Sequence, residues 1–173
     1  MTPVIHGSRE YAVTEKPISE DSLQTLKGAA REALDVLGPE CAGADPYKLV
    51  SLVDDFVYRW QKDRRPPLGD NDVDPDDVPI MLASLWAEQV VADFGWQWTQ
   101  MWFDEQTWTF AVVPPDRSMI IFPFTFVDDC IAGNVDVTIE LSFNVLDGGR
   151  LGQLPPNTYQ DIMAGIRHIV PRD

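Results

Sequence analysis

The chain has 173 residues, of which 45% are hydrophobic and 10% aromatic, and its formal net charge is −15. A chain of this length fits one domain that buries most of its apolar surface, so folding needs neither a disulfide framework nor a structural metal. The excess of acid is spread over both halves of the chain, and a field of that sign disfavours nucleic-acid binding.

Two cysteines, Cys41 and Cys130, are too few for a small secreted scaffold held together by disulfides. The first seven residues lack the charged region and apolar core of a secretory signal. Apolar runs stay far below the roughly 20 residues that span a bilayer. The sequence therefore predicts a cytoplasmic protein with no membrane partner.

Residues 1–18 are polar and irregular, and we predict a loose N-terminal arm ahead of a single α+β domain over residues 19–173. Ser19 or Ser22 can cap a first helix, whose apolar residues recur at helical spacing as far as Leu37. Gly38 and the proline after it end this helix.

Two further helices follow in the first half of the chain. Asp45 before a proline is typical of a capped helix start, and that helix is predicted to end near Asp63. A third helix is predicted from about Val78 to Phe94, with Gly95 as the residue that ends it. Its wide apolar face predicts a central, well-buried position.

After Gly95 the pattern changes from helical spacing to alternation. Residues 96–103 and 107–113 predict an antiparallel hairpin, and residues 114–118 predict a tight turn. Residues 119–122 predict a third strand, and residues 126–131 a short helix.

The remaining elements complete the predicted fold. Residues 135–146 alternate apolar and polar side chains and predict a long fourth strand. A last helix is predicted from Pro155 to about His168. Helices followed by strands indicate an α+β fold, with three N-terminal helices, an antiparallel sheet of about four strands and a C-terminal helix.

Tryptophans are concentrated in the predicted hairpin. Trp96, Trp98, Trp102 and Trp108 fall there, and alternation places the first three on one face of the sheet. They can form a ligand platform or an interface, but packing between the sheet and the helices is favoured because the preceding helix needs a surface to pack on.

The acidic stretch before the third helix resembles a calcium loop only at its start. Asp70, Asp72 and Asp74 have the opening spacing, but Pro75 stands where glycine is needed and Met81 where a bidentate glutamate should lie. Acidic residues ahead of a helix explain the same letters. No metal site is predicted.

Catalytic and cofactor motifs are also missing from the sequence. The two histidines, His6 and His168, cannot build a triad or a histidine-rich metal site. Glycine-rich phosphate loops and nucleophile-elbow motifs do not occur. The sequence therefore predicts no cofactor and favours a protein that is not an enzyme.

One polar set keeps an enzymatic alternative open. Glu88 lies on the third helix among apolar residues, and a buried glutamate there would need a partner such as Arg117. Together with Ser118, these residues are the candidates for a small hydrolase or a ligand-binding enzyme. That alternative requires them to share one cleft.

Four short segments resemble a bacterial domain family of unknown function. They are Leu85-Trp86-Ala87-Glu88-Gln89, Phe94-Gly95-Trp96-Gln97-Trp98, Pro115-Asp116-Arg117-Ser118 and Phe122-Pro123-Phe124. The resemblance covers about residues 80–145, and phenylalanine at position 94 replaces the leucine of the family pattern. It implies a fold and a bacterial origin, and it implies no chemistry.

The first functional hypothesis is a non-enzymatic binding protein, of the immunity or adaptor type, that masks a basic partner. Even acidity, small size and the lack of a catalytic set motivate it. The enzymatic alternative is the second hypothesis, and the third is self-association through the tryptophan-rich face. The carboxylates predicted to contact a basic partner are Asp70, Asp72, Asp74, Asp76, Asp77, Asp104 and Glu105.

Overall fold

The computed structural model describes residues 2–6, 9–147 and 151–163, which form an α+β fold. Helix α1 spans Glu20–Leu37 and is capped by Ser19, whose side chain accepts the backbone N–H of Ser22 at 3.1 Å. Gly38 ends the helix with a φ of +94°, a backbone conformation that favours glycine. A 3-10 turn, Pro39–Cys41, leads on to the second helix.

Helices α2 and α3 form the centre of the helical layer. Helix α2 spans Pro46–Asp63, and Asp45 caps it by accepting the backbone N–H of Lys48 at 2.8 Å. Helix α3 spans Val78–Phe94 and ends at Gly95 with a φ of +69°. Its buried residues extend around most of its circumference, so the predicted central position is confirmed.

The predicted hairpin is also confirmed. Strand β3 spans Gln97–Trp102 and pairs antiparallel with β4, Trp108–Val113. The turn at residues 114–118 follows, and strand β5, Met119–Ile120, comes directly after it. Helix α4 spans Pro123–Ala132, so the short helix predicted over residues 126–131 is present and begins three residues earlier.

The N-terminal segment, predicted as a loose arm, contains two strands instead. Strand β1 spans Thr2–His6 and pairs antiparallel with β2, Arg9–Pro17, which in turn pairs antiparallel with β3. The prediction was wrong because the apolar alternation of an amphipathic strand is weak here. Val13 is buried but the next inward residue is Glu15.

The long strand predicted over residues 135–146 is wrong as well. Residues Ile139–Asp147 form helix α5. Asp54 of α2, which is 1% exposed, accepts the backbone N–H of Glu140 at 2.9 Å and so satisfies the start of this helix. Ile139, Ser142 and Phe143 are buried at helical spacing.

The C-terminal helix does not begin at Pro155. Residues 156–157 form a turn, and Gln160–Asp161 form strand β6, which pairs in parallel with both β1 and β5. Residues 164–168 of the predicted helix lie outside the described residues.

The six strands form one mixed sheet in the order β4-β3-β2-β1-β6-β5, rather than an antiparallel sheet of about four. Val112 of β4 and Ile121, which follows β5, exchange two backbone hydrogen bonds of 3.0 Å. The strand order therefore returns to its first member, and the sheet curls around an interior of its own.

Two apolar cores result from this arrangement. The larger lies between the helices and one face of the sheet, and includes Trp86, Trp98 and Phe126. The smaller lies on the other face and consists of Val13, Met101, Ala111, Val113, Ile120 and Tyr159. No helix among the described residues is long and apolar enough to cross a bilayer.

Candidate functional site

The acidic loop, residues 70–77, joins α2 to α3. Asp70, Asp72, Asp74, Asp76 and Asp77 are all exposed. The loop is nevertheless fixed to the fold, because Leu68 and Val73 pack on the larger core. The Asn71 side-chain amide also donates to the Val36 carbonyl of α1 at 3.4 Å.

Hydrogen bonds within the acidic loop fix its backbone further. The Asp74 carboxylate accepts the backbone N–H of Asp76 at 3.0 Å, and the Asp74 carbonyl accepts that of Asp77 at 3.1 Å. These contacts order the backbone that carries the other four carboxylates. The loop can therefore present its charge without ordering on binding.

Few basic groups neutralise this charge. Within the described part of the chain, the ion pairs closer than 4.0 Å join Lys48 to Glu40 and Arg117 to Glu15. None of the seven predicted partner-contacting carboxylates belongs to either pair. The described residues also contain no group of three histidine, cysteine or acidic residues placed to hold a metal ion.

The hairpin turn between β3 and β4 carries the other two of these acids, and both are exposed. The Asp104 carboxylate accepts the backbone N–H groups of Gln106 at 2.8 Å and Thr107 at 2.7 Å. These hydrogen bonds, that of Gln106 first, lower the pKa of Asp104 below its ordinary value. Glu105 lies next to it at the tip of the turn.

The tryptophans of the hairpin divide into two groups. Trp96 and Trp98 are buried in the larger core, which confirms the packing interpretation for them. Trp102 and Trp108, here called the tryptophan pair, stack at a centroid distance of 5.7 Å and an interplanar angle of 25°. Trp108 remains 41% exposed.

The three residues of the enzymatic alternative each have a different partner. Glu88 accepts the indole N–H of Trp98 at 2.7 Å, and Ser118 donates its hydroxyl to Asp116 at 2.7 Å. Arg117 pairs with Glu15, so the expected pairing of Arg117 with Glu88 is wrong. These contacts do not unite Glu88, Arg117 and Ser118 in one reactive set.

Arg117 belongs instead to a cluster that we call the Glu15 clasp, formed by Glu15, Thr99, Arg117 and Tyr159. Arg117 donates to both carboxylate oxygens of Glu15, at 2.9 and 3.2 Å. The Tyr159 hydroxyl donates to the same carboxylate, and the Thr99 hydroxyl lies 3.2 Å from it. Through Tyr159, the clasp adjoins the smaller core.

Charges in the clasp stabilise one another. Burial opposes ionisation of Glu15, but hydrogen bonds from Arg117, Tyr159 and Thr99 outweigh it and hold the pKa of Glu15 below its ordinary value. Burial, and then the bond to Glu15, raise the pKa of Tyr159 to about 12. The bond to Glu15 also raises the pKa of Arg117.

Backbone geometry around the clasp is unusual. Arg117, Asn157 and Tyr159 have φ values of +54°, +59° and +44°, a backbone region that residues other than glycine rarely adopt. The Tyr159 N–H donates to the Arg117 carbonyl at 2.9 Å, and the Asn157 N–H to that of Asp116 at 3.0 Å. Segment 157–160 is thus bound to the 114–118 turn.

Sequence reasoning missed Glu15, Thr99 and Tyr159. Glu15 lies 102 positions from Arg117 and 144 positions from Tyr159. A signal existed only for Glu15, which is two residues after the buried Val13 and so points to the same side of a strand.

Comparison of the chain with protein-family models, curated proteins and solved structures yields no match.

Proposed function

We propose that this chain is a non-enzymatic binding module of bacterial origin that masks a basic protein, as an immunity-type or adaptor protein does. One observation carries the proposal. Five exposed aspartates lie within the eight residues of the acidic loop, and none is in an ion pair of the described residues. Such a surface is complementary to one rich in lysine and arginine.

Preorganisation of the loop supports this role. Packing of Leu68 and Val73 and the bond from Asn71 to Val36 order the loop in the free protein. Binding a partner then costs little additional conformational entropy, so more of the electrostatic attraction contributes to affinity. A disordered acidic tail of equal charge would lose part of that contribution.

The overall charge of −15 supports the proposal through kinetics. A field of one sign raises the association rate with an oppositely charged partner roughly 10- to 1000-fold at low salt. The rate falls as salt screens charges beyond a Debye length of about 10 Å at 0.1 M. We therefore expect fast association that depends strongly on ionic strength.

The test begins by passing host lysate over the immobilised full chain at low salt and identifying the basic protein that elutes at moderate salt. Association kinetics are then measured with that purified protein. The variant with all five loop aspartates changed to asparagine should associate roughly tenfold more slowly than the native chain at low salt, and the two rates should converge at high salt.

A matched control separates loop charge from net charge. Glu32, Asp35, Asp55, Asp63 and Asp93 are exposed and lie outside the loop. Changing them to the corresponding amides removes the same number of charges, and we expect a much smaller loss of association rate. Equal losses would show that only net charge matters, and unchanged rates in the loop variant would refute the proposed role of the loop.

A further inference from the structure

The tryptophan pair lies in a row of side chains that crosses the sheet. Lys16 of β2 places its ammonium 3.7 Å from the ring centroid of Trp102 on β3, and Trp108 of β4 stacks on Trp102 at 5.7 Å. Because β3 lies between β2 and β4, the cation and Trp108 approach Trp102 from opposite sides. This row already holds one cation against an indole face.

The other side of Trp108 is open. On the side of β4 that faces away from β3, the one bridge among the described residues joins Val112 to Ile121. Val112 lies four positions further along the strand than Trp108. Phe110 packs against Trp108 in a T-shaped arrangement, with a centroid distance of 5.0 Å and an interplanar angle of 79°. Trp108 consequently stays 41% exposed, although Trp96 and Trp98 of the same hairpin are at most 7% exposed.

Two acidic residues lie in the turn that leads into β4 and Trp108. Asp104 and Glu105 are exposed in the turn that joins the two strands of the tryptophan pair. The bonds from Gln106 and Thr107 to Asp104 give that turn one conformation. An exposed indole and carboxylates in the adjoining turn match a planar cation, since guanidinium groups both stack on aromatic rings and pair with carboxylates.

We propose that the exposed face of Trp108 receives an arginine side chain of a basic partner protein, with Asp104 and Glu105 supplying the opposite charge. This inference rests on the proposed function and adds a second contact surface, distinct from the acidic loop. Arginine stacked on Trp108 would extend the Lys16–Trp102–Trp108 row by one cation. Tryptophan and arginine are also the residues that most often dominate the energetics of interfaces.

The test uses the full chain labelled with ¹⁵N, whose indole N–H signals are assigned by single substitutions. The probe is a blocked six-residue peptide of alternating glycine and arginine, and the matched control peptide carries neutral citrulline in place of arginine. We expect the arginine peptide to shift the Trp108 and Trp102 signals in a saturable way. The Trp98 signal should stay unchanged, and the citrulline peptide should have little effect.

Variants then separate the ring from the carboxylates. Trp108→Leu keeps an apolar side chain but removes the π-face, and it should weaken the peptide's effect on the Trp102 signal about three- to tenfold. Glu105→Gln should weaken the peptide's effect on Trp108 about twofold, and Glu20→Gln, at the start of α1, should not. Urea unfolding of each variant establishes that it is folded under the titration conditions.

Each contrary outcome has a distinct meaning. Shifts confined to residues 70–77 would refute the inference about Trp108 and leave the proposed function standing. Failure of the peptide to shift any signal, together with failure of the loop variants to slow partner association, would refute both. Equal shifts from the citrulline peptide would overturn arginine recognition in favour of stacking by an uncharged group. Shifts caused by a neutral disaccharide, cellobiose, in place of the peptide would have the same meaning. Shifts that appear on raising the protein concentration alone would assign Trp108 to self-association.

Discussion

Glu15 of β2 and Arg117 of the 114–118 turn form a two-point ion pair across 102 positions of sequence. Arg117 Nη2 donates to Glu15 Oε1 at 2.9 Å and Nε donates to Oε2 at 3.2 Å. The two side chains are 23% and 22% exposed, so water screens them only in part. Removing one partner should therefore cost more free energy of unfolding than disrupting an ion pair at the surface.

Glu15→Gln tests the contribution of this pair to stability. The amide cannot accept two charge-assisted bonds from Arg117, and a partly buried guanidinium is left without its counter-charge. We expect the free energy of unfolding in urea to fall by about 2 kcal/mol at pH 7. Glu105→Gln, at an exposed position, is the control and should change it by less than about 0.5 kcal/mol. Similar values for both variants would contradict a stabilising role for the clasp.

The same pair predicts a dependence on acid pH. The folded pKa of Glu15 lies below its ordinary value of 4.5, so its contribution to stability is complete above that value and is lost as pH falls through the folded pKa. The difference in unfolding free energy between the native chain and Glu15→Gln should be constant from pH 7 to about 5 and shrink below 4.5. A difference that grows on acidification would show that the sign is wrong.

Tyr159 predicts the opposite limb of the pH profile. Its folded pKa is raised from 10.0 to about 12, so its contribution is complete below pH 10 and is lost as pH rises toward 12. The stability advantage of the native chain over Tyr159→Phe should decline over that interval. Absorbance titration of phenolate should also show one tyrosine, missing in the variant, that ionises near pH 12. Ionisation of that tyrosine near pH 10 would exclude the hydrogen bond to Glu15.

Glu88 and Trp98 test whether the glutamate of α3 has a structural role. Trp98 is only 6% exposed, and its indole N–H donates to Glu88 at 2.7 Å. Glu88→Leu removes the acceptor and should lower the free energy of unfolding by about 1–3 kcal/mol. Glu88→Gln keeps an acceptor oxygen and should recover most of that loss. Equal losses in both variants would mean that the charge of Glu88, rather than the hydrogen bond, is needed.

Two glycines with opposite backbone requirements give a paired prediction. Gly133, after α4, has a φ of +76°, and an added Cβ would lie 3.3 Å from Arg64 Nη1. Gly28 lies inside α1, and an added Cβ would meet no atom within 4 Å apart from the adjacent residues and the backbone of its own helix. Gly133→Ala should lower the melting temperature, with a loss of about 1 kcal/mol or more. Gly28→Ala should raise it through a gain of about 0.5–1 kcal/mol. Stabilisation by both changes would contradict the left-handed conformation at Gly133.

Local signals in the sequence determined the elements whose ends and faces are encoded within a few residues. Ser19 and Asp45 cap α1 and α2, and Gly95 ends α3, because capping depends on one side chain and the adjacent backbone. The β3–β4 hairpin follows from alternation on both sides of a short turn. The exposure of the acidic loop likewise follows from the cost of burying charge.

Tertiary structure decided what local pattern left open. Residues 135–146 alternate like a strand, yet Ile139 and Phe143 also have helical spacing, and the buried Asp54 favours the helix by accepting the Glu140 N–H. The N-terminal strands depend on partners far along the chain, β3 and β6. Glu15 finds Arg117 and Tyr159 only because the sheet closes on itself. A single sequence fixes which side chains can cap or alternate, whereas long-range pairing depends on the packing of the whole chain.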